Sequence, residues 1–224
     1  MGTLPSDPGL EPGFPVRHGL LPPALRRDLS DLNSQFLDLS LASEASSQPG
    51  CAWAEPVRQR LHVIDRPTRM RMAAAPFALF RLVPPAPAVL PPTTFSNGVA
   101  DLPQPAPVTG WQGRWLSFTH QAAFFARRLV DGAALAANVV LDLTPEAQSL
   151  LGTLCPSQLA AVAAQPGIVR PRWPDHLRFW EMLEAAARCD SAEALQWAHC
   201  VGVCLLGTDA AGTPPGAVRR RPRR

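Results

Sequence analysis

Residues 61–76, LHVIDRPTRMRMAAAP, and residues 151–166, LGTLCPSQLAAVAAQP, decide how this chain is read, because they follow one pattern. At a spacing of 90 residues, Leu61 falls on Leu151, Ile64 on Leu154 and Met72 on Val162, while Ala73, Ala74 and Pro76 fall on Ala163, Ala164 and Pro166. The apolar positions recur at helical steps, and both stretches close on a proline, which cannot continue a helix. Upstream, at a spacing of 88, LNSQFLDLSL (32–41) falls on HQAAFFARRL (120–129), pairing Phe36 with Phe124 and Leu41 with Leu129. A register held across apolar positions and the closing proline points to an internal duplication.

Working outward, both blocks read as helix. Phe118, Ala122, Phe125, Leu129 and Ala133 recur at three- and four-residue steps and form one apolar stripe. Thr144-Pro145-Glu146 is a helix start: a hydroxyl cap, a proline where no donor is needed, and a carboxylate at the positive helix end. Pro156 opens a short helix stopped at Pro166-Gly167, Asp175 is placed to cap one running to Arg188, and Ser191 to cap a last one ending near Leu206. The segments ending FALFRL and GIVRPRW have weak extended character. The expected fold class is all-α.

Proline and glycine set the boundaries. Residues 1–28 and 207–224 read as disordered tails, and residues 83–110, with eight prolines, as a polyproline-like linker. That leaves a first helical copy at 29–82 and a second at 111–206, which carries two extra C-terminal helices.

The 224 residues are 46% hydrophobic and 17% charged, enough to bury a core, so wholesale disorder is not expected. Basic residues are all arginine, and lysine and tyrosine are absent, the bias of a GC-rich genome. The net charge of +3 is modest, and Arg219, Arg220, Arg221, Arg223 and Arg224 fill five of the last six positions. Five irregularly spaced cysteines suit a reduced cytoplasm better than a disulfide framework. The opening MGTLPSDPGLEPGFP lacks the basic start and apolar run of a secretory leader, and no apolar stretch reaches the length of a membrane span. A cytoplasmic protein without membrane contact is the expectation.

Convergent catalytic chemistry is not evident. His18, His62, His120, His176 and His199 share no spacing, and no phosphate loop, nucleophile elbow or His-Glu-xx-His motif is present. Cys200 and Cys204, one helical turn apart beside His199, can face one metal, but their apolar surroundings favour core packing. Trp173, Trp180 and Trp197 read as core anchors. We therefore expect no catalytic residues, no cofactor and no metal. The five terminal arginines are the candidate DNA contacts, with Arg170, Arg172 and Arg178 as the alternative.

In the second block, Ala126, Arg128, Leu129, Ala137, Leu141, Glu146, Leu151, Leu154, Gln158, Leu159 and Ala163 sit where the bacterial flagellar transcriptional activator FlhD family has its helix and turn positions. The first block resembles that family's opening through Asp31-Leu32-Asn33 and Phe36-Leu37, and a later stretch through Leu61, Ile64, Pro67, Arg71, Met72 and Ala73. The chain thus resembles two FlhD-like copies in tandem, a single-chain counterpart of a dimer. It departs from the family in its doubled length and in lacking the Asp-Leu-Asn start in the second copy. Neither copy ends its repeated helix on a cysteine, so no disulfide between copies is implied. The resemblance implies a transcriptional regulator acting through a protein partner, FlhC-like or other, with DNA reached through that complex and a second copy of the chain as a further partner. A protein-interaction adaptor without nucleic-acid contact is the alternative, and a small helical enzyme ranks last.

Overall fold

The structure, a computed structural model, describes residues 21–42, 44–45, 51–84, 110–189 and 191–211, with side chains as far as 205. Of the linker and the two tails, the described residues include 21–28, 83–84, 110 and 207–211.

The first half contributes α1 (Pro23–Ser40), α2 (Glu55–His62), α3 (Arg66–Ala73) and β1 (Phe80–Leu82). The second contributes α4 (Gly110–Gly132), α5 (Ala134–Leu141), α6 (Pro145–Thr153), α7 (Pro156–Ala163) and β2 (Val169–Pro171). A hairpin of α8 (Leu177–Arg188) and α9 (Ala192–Ala211) follows. Helix dominates, as expected for an all-α protein. Proline within the blocks marks helix starts: α1, α2, α3, α6 and α7 each carry one in the first two positions, where a missing N–H costs nothing. Capping completes several of them. Asp65 accepts from Thr68 N at 2.8 Å, Thr144 from Ala147 N at 3.3 Å and Ser191 from Ala194 N at 3.2 Å.

Some boundaries differ from the sequence reading. Helix α1 begins at Pro23, inside the expected tail, because Leu21 and Leu29 are buried and Leu25 packs on the core. Helix α8 is preceded by His176, not capped by the Asp175 side chain. Helix α9 runs to Ala211, past the expected end at 206.

The two extended segments pair. Strands β1 and β2 are antiparallel, with Phe80 opposite Pro171, Arg81 opposite Arg170 and Leu82 opposite Val169. On the flanks, Val83 N donates to Ile168 O at 2.8 Å and Arg172 N donates to Leu79 O at 3.0 Å. These two bonds are images of each other: Val83 and Arg172 stand 89 residues apart, as do Leu79 and Ile168. The ribbon thus carries a local pseudo-twofold axis between Arg81 and Arg170. Pro171 fits because antiparallel bonding alternates, and Pro171 falls at a pair that exchanges no hydrogen bond. The spacing drops from 90 to 89 because one residue fewer separates Pro166 from Ile168 than Pro76 from Leu79. Gly167, at φ 76°, makes that shorter link.

Burial agrees with duplication over α2–α3 and α6–α7. Leu61 and Leu151 are 0% and 1% exposed, and Ile64 and Leu154 are 3% and 4%. Met72 and Val162 are both fully buried. The pairing of Phe36 with Phe124 fails: Phe36 is buried, whereas Phe124 is 42% exposed and the buried aromatic is Phe125. An 88-residue register therefore does not describe α1 and α4, since one position turns a helix by roughly 100°.

One hydrophobic core joins the halves. Phe36 of α1 lies 5.5 Å from Phe80 and 6.0 Å from Phe118 of α4, centroid to centroid. Trp53 meets Phe36 at 5.9 Å and Trp180 at 5.2 Å, carrying the aromatic cluster into α8.

Candidate functional site

Buried polar groups come first, because each needs a partner and so fixes the chain around it. Asn33 of α1, fully buried, donates through Nδ2 to Ala73 O at 3.1 Å and Phe77 O at 2.9 Å, and accepts from Leu79 N at 2.8 Å. It pins the approach to β1. Arg172, 2% exposed, donates to Ala78 O and Val140 O, each at 3.1 Å, so it ties the two halves together. Asp142 lies 3.7 Å from its guanidinium, and the Trp173 ring 5.3 Å away. Arg172 is thus committed to the fold and is not available as a DNA contact. Glu184, 3% exposed, accepts from Arg60 at 2.5 Å and Arg188 at 2.8 Å, clamping α8 to α2.

The cysteine–histidine group of α9 does not converge. His199 turns inward, its ring 6.2 Å from that of Phe77, and burial pushes its imidazole down to about 4. Cys200 and Cys204 face outward, contrary to the expected core packing. Among the described residues no cluster of three His, Cys, Asp or Glu side chains is placed to hold a metal. The other described histidines are scattered: His62 closes α2, His120 bonds the Ala160 carbonyl at 3.2 Å, and His176 precedes α8. Cys155, exposed at the start of α7, contacts Ser157 Oγ at 3.1 Å, which holds its thiol below the ordinary range.

Three surface features remain. The first is the outer side of α9, where Trp197 is 67% and Val203 41% exposed alongside Cys200 and Cys204. Trp173 and Trp180 are buried as anchors, but Trp197 is not, correcting that expectation. The second is the α1–α4 seam, where Gln35 donates to Gln121 at 3.3 Å between open depressions of about 370 and 270 Å³. Across it, Asp28 is bound to Arg128 at 2.9 Å. The third is the outer face of the ribbon, where Arg81 and Arg170 stand exposed and directly opposed. The five terminal arginines lie outside the described residues. No helix among the described residues is long and apolar enough to cross a membrane.

No family model, curated protein or solved structure matches the chain.

Proposed function

We propose that this chain is a transcriptional regulator of the FlhD-like type that acts through a protein partner, its two halves standing for the two subunits of a dimer. The observation that carries this reading is the reciprocal pair of ribbon bonds, Val83 N to Ile168 O and Arg172 N to Leu79 O. Equivalent residues exchanging equivalent bonds is how two identical subunits meet across a twofold interface. The protein-partner half of the reading draws on α9, where Trp197 and Val203 are both exposed large apolar side chains.

The second reading, an adaptor without nucleic-acid contact, is favoured by how the arginines are used. Arg60, Arg69, Arg127, Arg128, Arg172 and Arg188 each have a carboxylate within 4.0 Å, so much of the body's positive charge is spent internally.

Deleting the gene in its host, restoring it as wild type or as Trp197→Glu, and profiling transcripts separates the two. The regulator reading expects a defined set of transcripts, flagellar genes first, to change on deletion, to return with the wild type and to stay altered with Trp197→Glu. An unchanged profile on deletion, with a protein partner still retained by the purified chain, leaves the adaptor.

A further inference from the structure

Arg81 and Arg170 occupy one cross-strand pair of an antiparallel ribbon. The flanking bonds at Val83–Ile168 and Leu79–Arg172 fix the alternation and make Arg81–Arg170 a hydrogen-bonded pair. Their Cα atoms therefore lie about 5.5 Å apart, the spacing of such pairs. Both side chains are exposed, and neither has a carboxylate within ion-pair distance among the described residues. Asp142, near the ribbon, lies 3.7 Å from the buried Arg172. Among the described residues, the one hydrogen bond made by either guanidinium runs from Arg170 Nε to Gly167 O at 3.2 Å.

Like charges directly opposite one another destabilise a strand pair. Among the described residues no carboxylate offsets this one, although the chain neutralises arginine elsewhere. The pair also sits on the pseudo-twofold axis, so the two guanidiniums point outward as symmetry-related donors. A guanidinium is a planar fork matched to phosphate oxygens. A two-stranded ribbon is of a size to enter the major groove of a duplex. Duplex DNA has local twofold axes of its own, and twofold readers align with them.

We propose that Arg81 and Arg170 form a phosphate-contacting couple through which the ribbon lies on duplex DNA with its pseudo-twofold axis aligned to that of the duplex. The choice of DNA rests on the regulator reading above, while the couple itself rests on ribbon geometry. A duplex offers phosphates on two symmetry-related strands. An acidic peptide offers no such pairing, which is why the duplex is preferred.

The test uses the full chain as wild type, Arg81→Gln/Arg170→Gln, Arg81→Lys/Arg170→Lys, and a variant with Gln at 219, 220, 221, 223 and 224. Binding to a mixed-sequence duplex is followed by fluorescence anisotropy from low to moderate salt, with poly-glutamate and inorganic phosphate as parallel probes. The log–log salt slope of the Arg81→Gln/Arg170→Gln variant should be shallower by about 1.8, roughly 0.9 for each lost phosphate contact. The lysine variant should keep most of the slope, because it keeps the charges. Thermal melting should rise or hold in the glutamine variant, since repulsion is relieved; a fall would mean a structural role and overturn the proposal. An unchanged slope in that variant, with loss only in the tail variant, would also overturn it. So would phosphate-dependent stabilisation without duplex binding, or poly-glutamate bound in preference to duplex. If the intact chain ignores duplex DNA while the gene deletion still alters transcripts, the couple is refuted and the regulator reading stands. Duplex binding through the couple with an unchanged transcript profile would refute the regulator reading alone.

Discussion

Gly202 of α9 lies against the ring of Phe77 so closely that a β-carbon on Gly202 would collide with Cζ and Cε1 of that ring and meet Phe179 Cε2 at 3.2 Å. The last helix is thus seated by the absence of a side chain. Phe77 is fully buried and lies 5.5 Å from Trp173, so it has little room to yield.

The Gly202→Ala variant sets two effects against each other. In a free helix alanine would gain roughly 0.5–1 kcal/mol over glycine. Against Phe77 the extra carbon overpacks a tight contact, at a cost of about 1–3 kcal/mol. We expect net destabilisation in urea unfolding. A gain in stability would show that α9 does not rest on Phe77.

Removing the Asn33 amide leaves Leu79 N and the Ala73 and Phe77 carbonyls without that partner. Each buried unsatisfied group costs about 1–3 kcal/mol, so Asn33→Ala should lose at least roughly 3 kcal/mol. Protection of the Leu79 amide from hydrogen exchange should fall with it. Equal stability of variant and wild type would show that Asn33 does not pin the approach to β1.

Glu184 has two arginine donors, Arg60 and Arg188. Either substitution alone, Arg60→Gln or Arg188→Gln, leaves the carboxylate one partner and should cost little, since both arginines are nearly half exposed. Together they strand a carboxylate that is 3% exposed, a loss of about 3–5 kcal/mol. The double variant should therefore lose more than the sum of the singles, as a double-mutant cycle would measure. Additive losses would mean that the two contacts are independent.

His199 gives the pH dependence. Burial pushes its pKa from an ordinary 6.5 down to about 4, and Nε2 has no hydrogen-bond partner among the described residues. Between those values the unfolded chain binds a proton that the folded chain refuses, so stability falls as pH drops from about 6.5 to about 4. Above 6.5 this group contributes no slope. His199→Leu should flatten melting temperature across that window. Asp65, held below its ordinary value of 3.8 by bonds from Thr68, acts in the same direction at lower pH, so the two are separable.

The 90-residue repeat, the helical stripes and the caps at Thr144 and Ser191 were legible because they are local: periodicity and capping need only neighbouring residues. The α1–α4 register was not: the stripe through Phe118, Ala122, Phe125 and Leu129 already put Phe125 on the apolar face, but the 88-residue alignment matched residue types rather than faces and paired Phe36 with Phe124, which is exposed. The candidate site was partly legible. Arg170 was singled out for its charge, but Arg172, two positions on, reads the same in sequence and is buried. Arg81 was missed, and the signal that could have found it was the FRL segment matched against IVRP once the strands were aligned.

Sequence alone determined the helical class and the places where proline starts or stops helices, since those follow from side-chain period and fixed φ, and it showed the apolar register shared by 61–76 and 151–166. Tertiary structure decided how the copies meet. The weak extended segments became a ribbon only when each gave the other its backbone partners, because a lone strand has none. That pairing brought Arg81 to Arg170 across 89 residues of chain, turned Arg172 inward onto Ala78 and Val140, and left Trp197 outside. No local rule contains those outcomes, because each depends on which surfaces the other half had already covered.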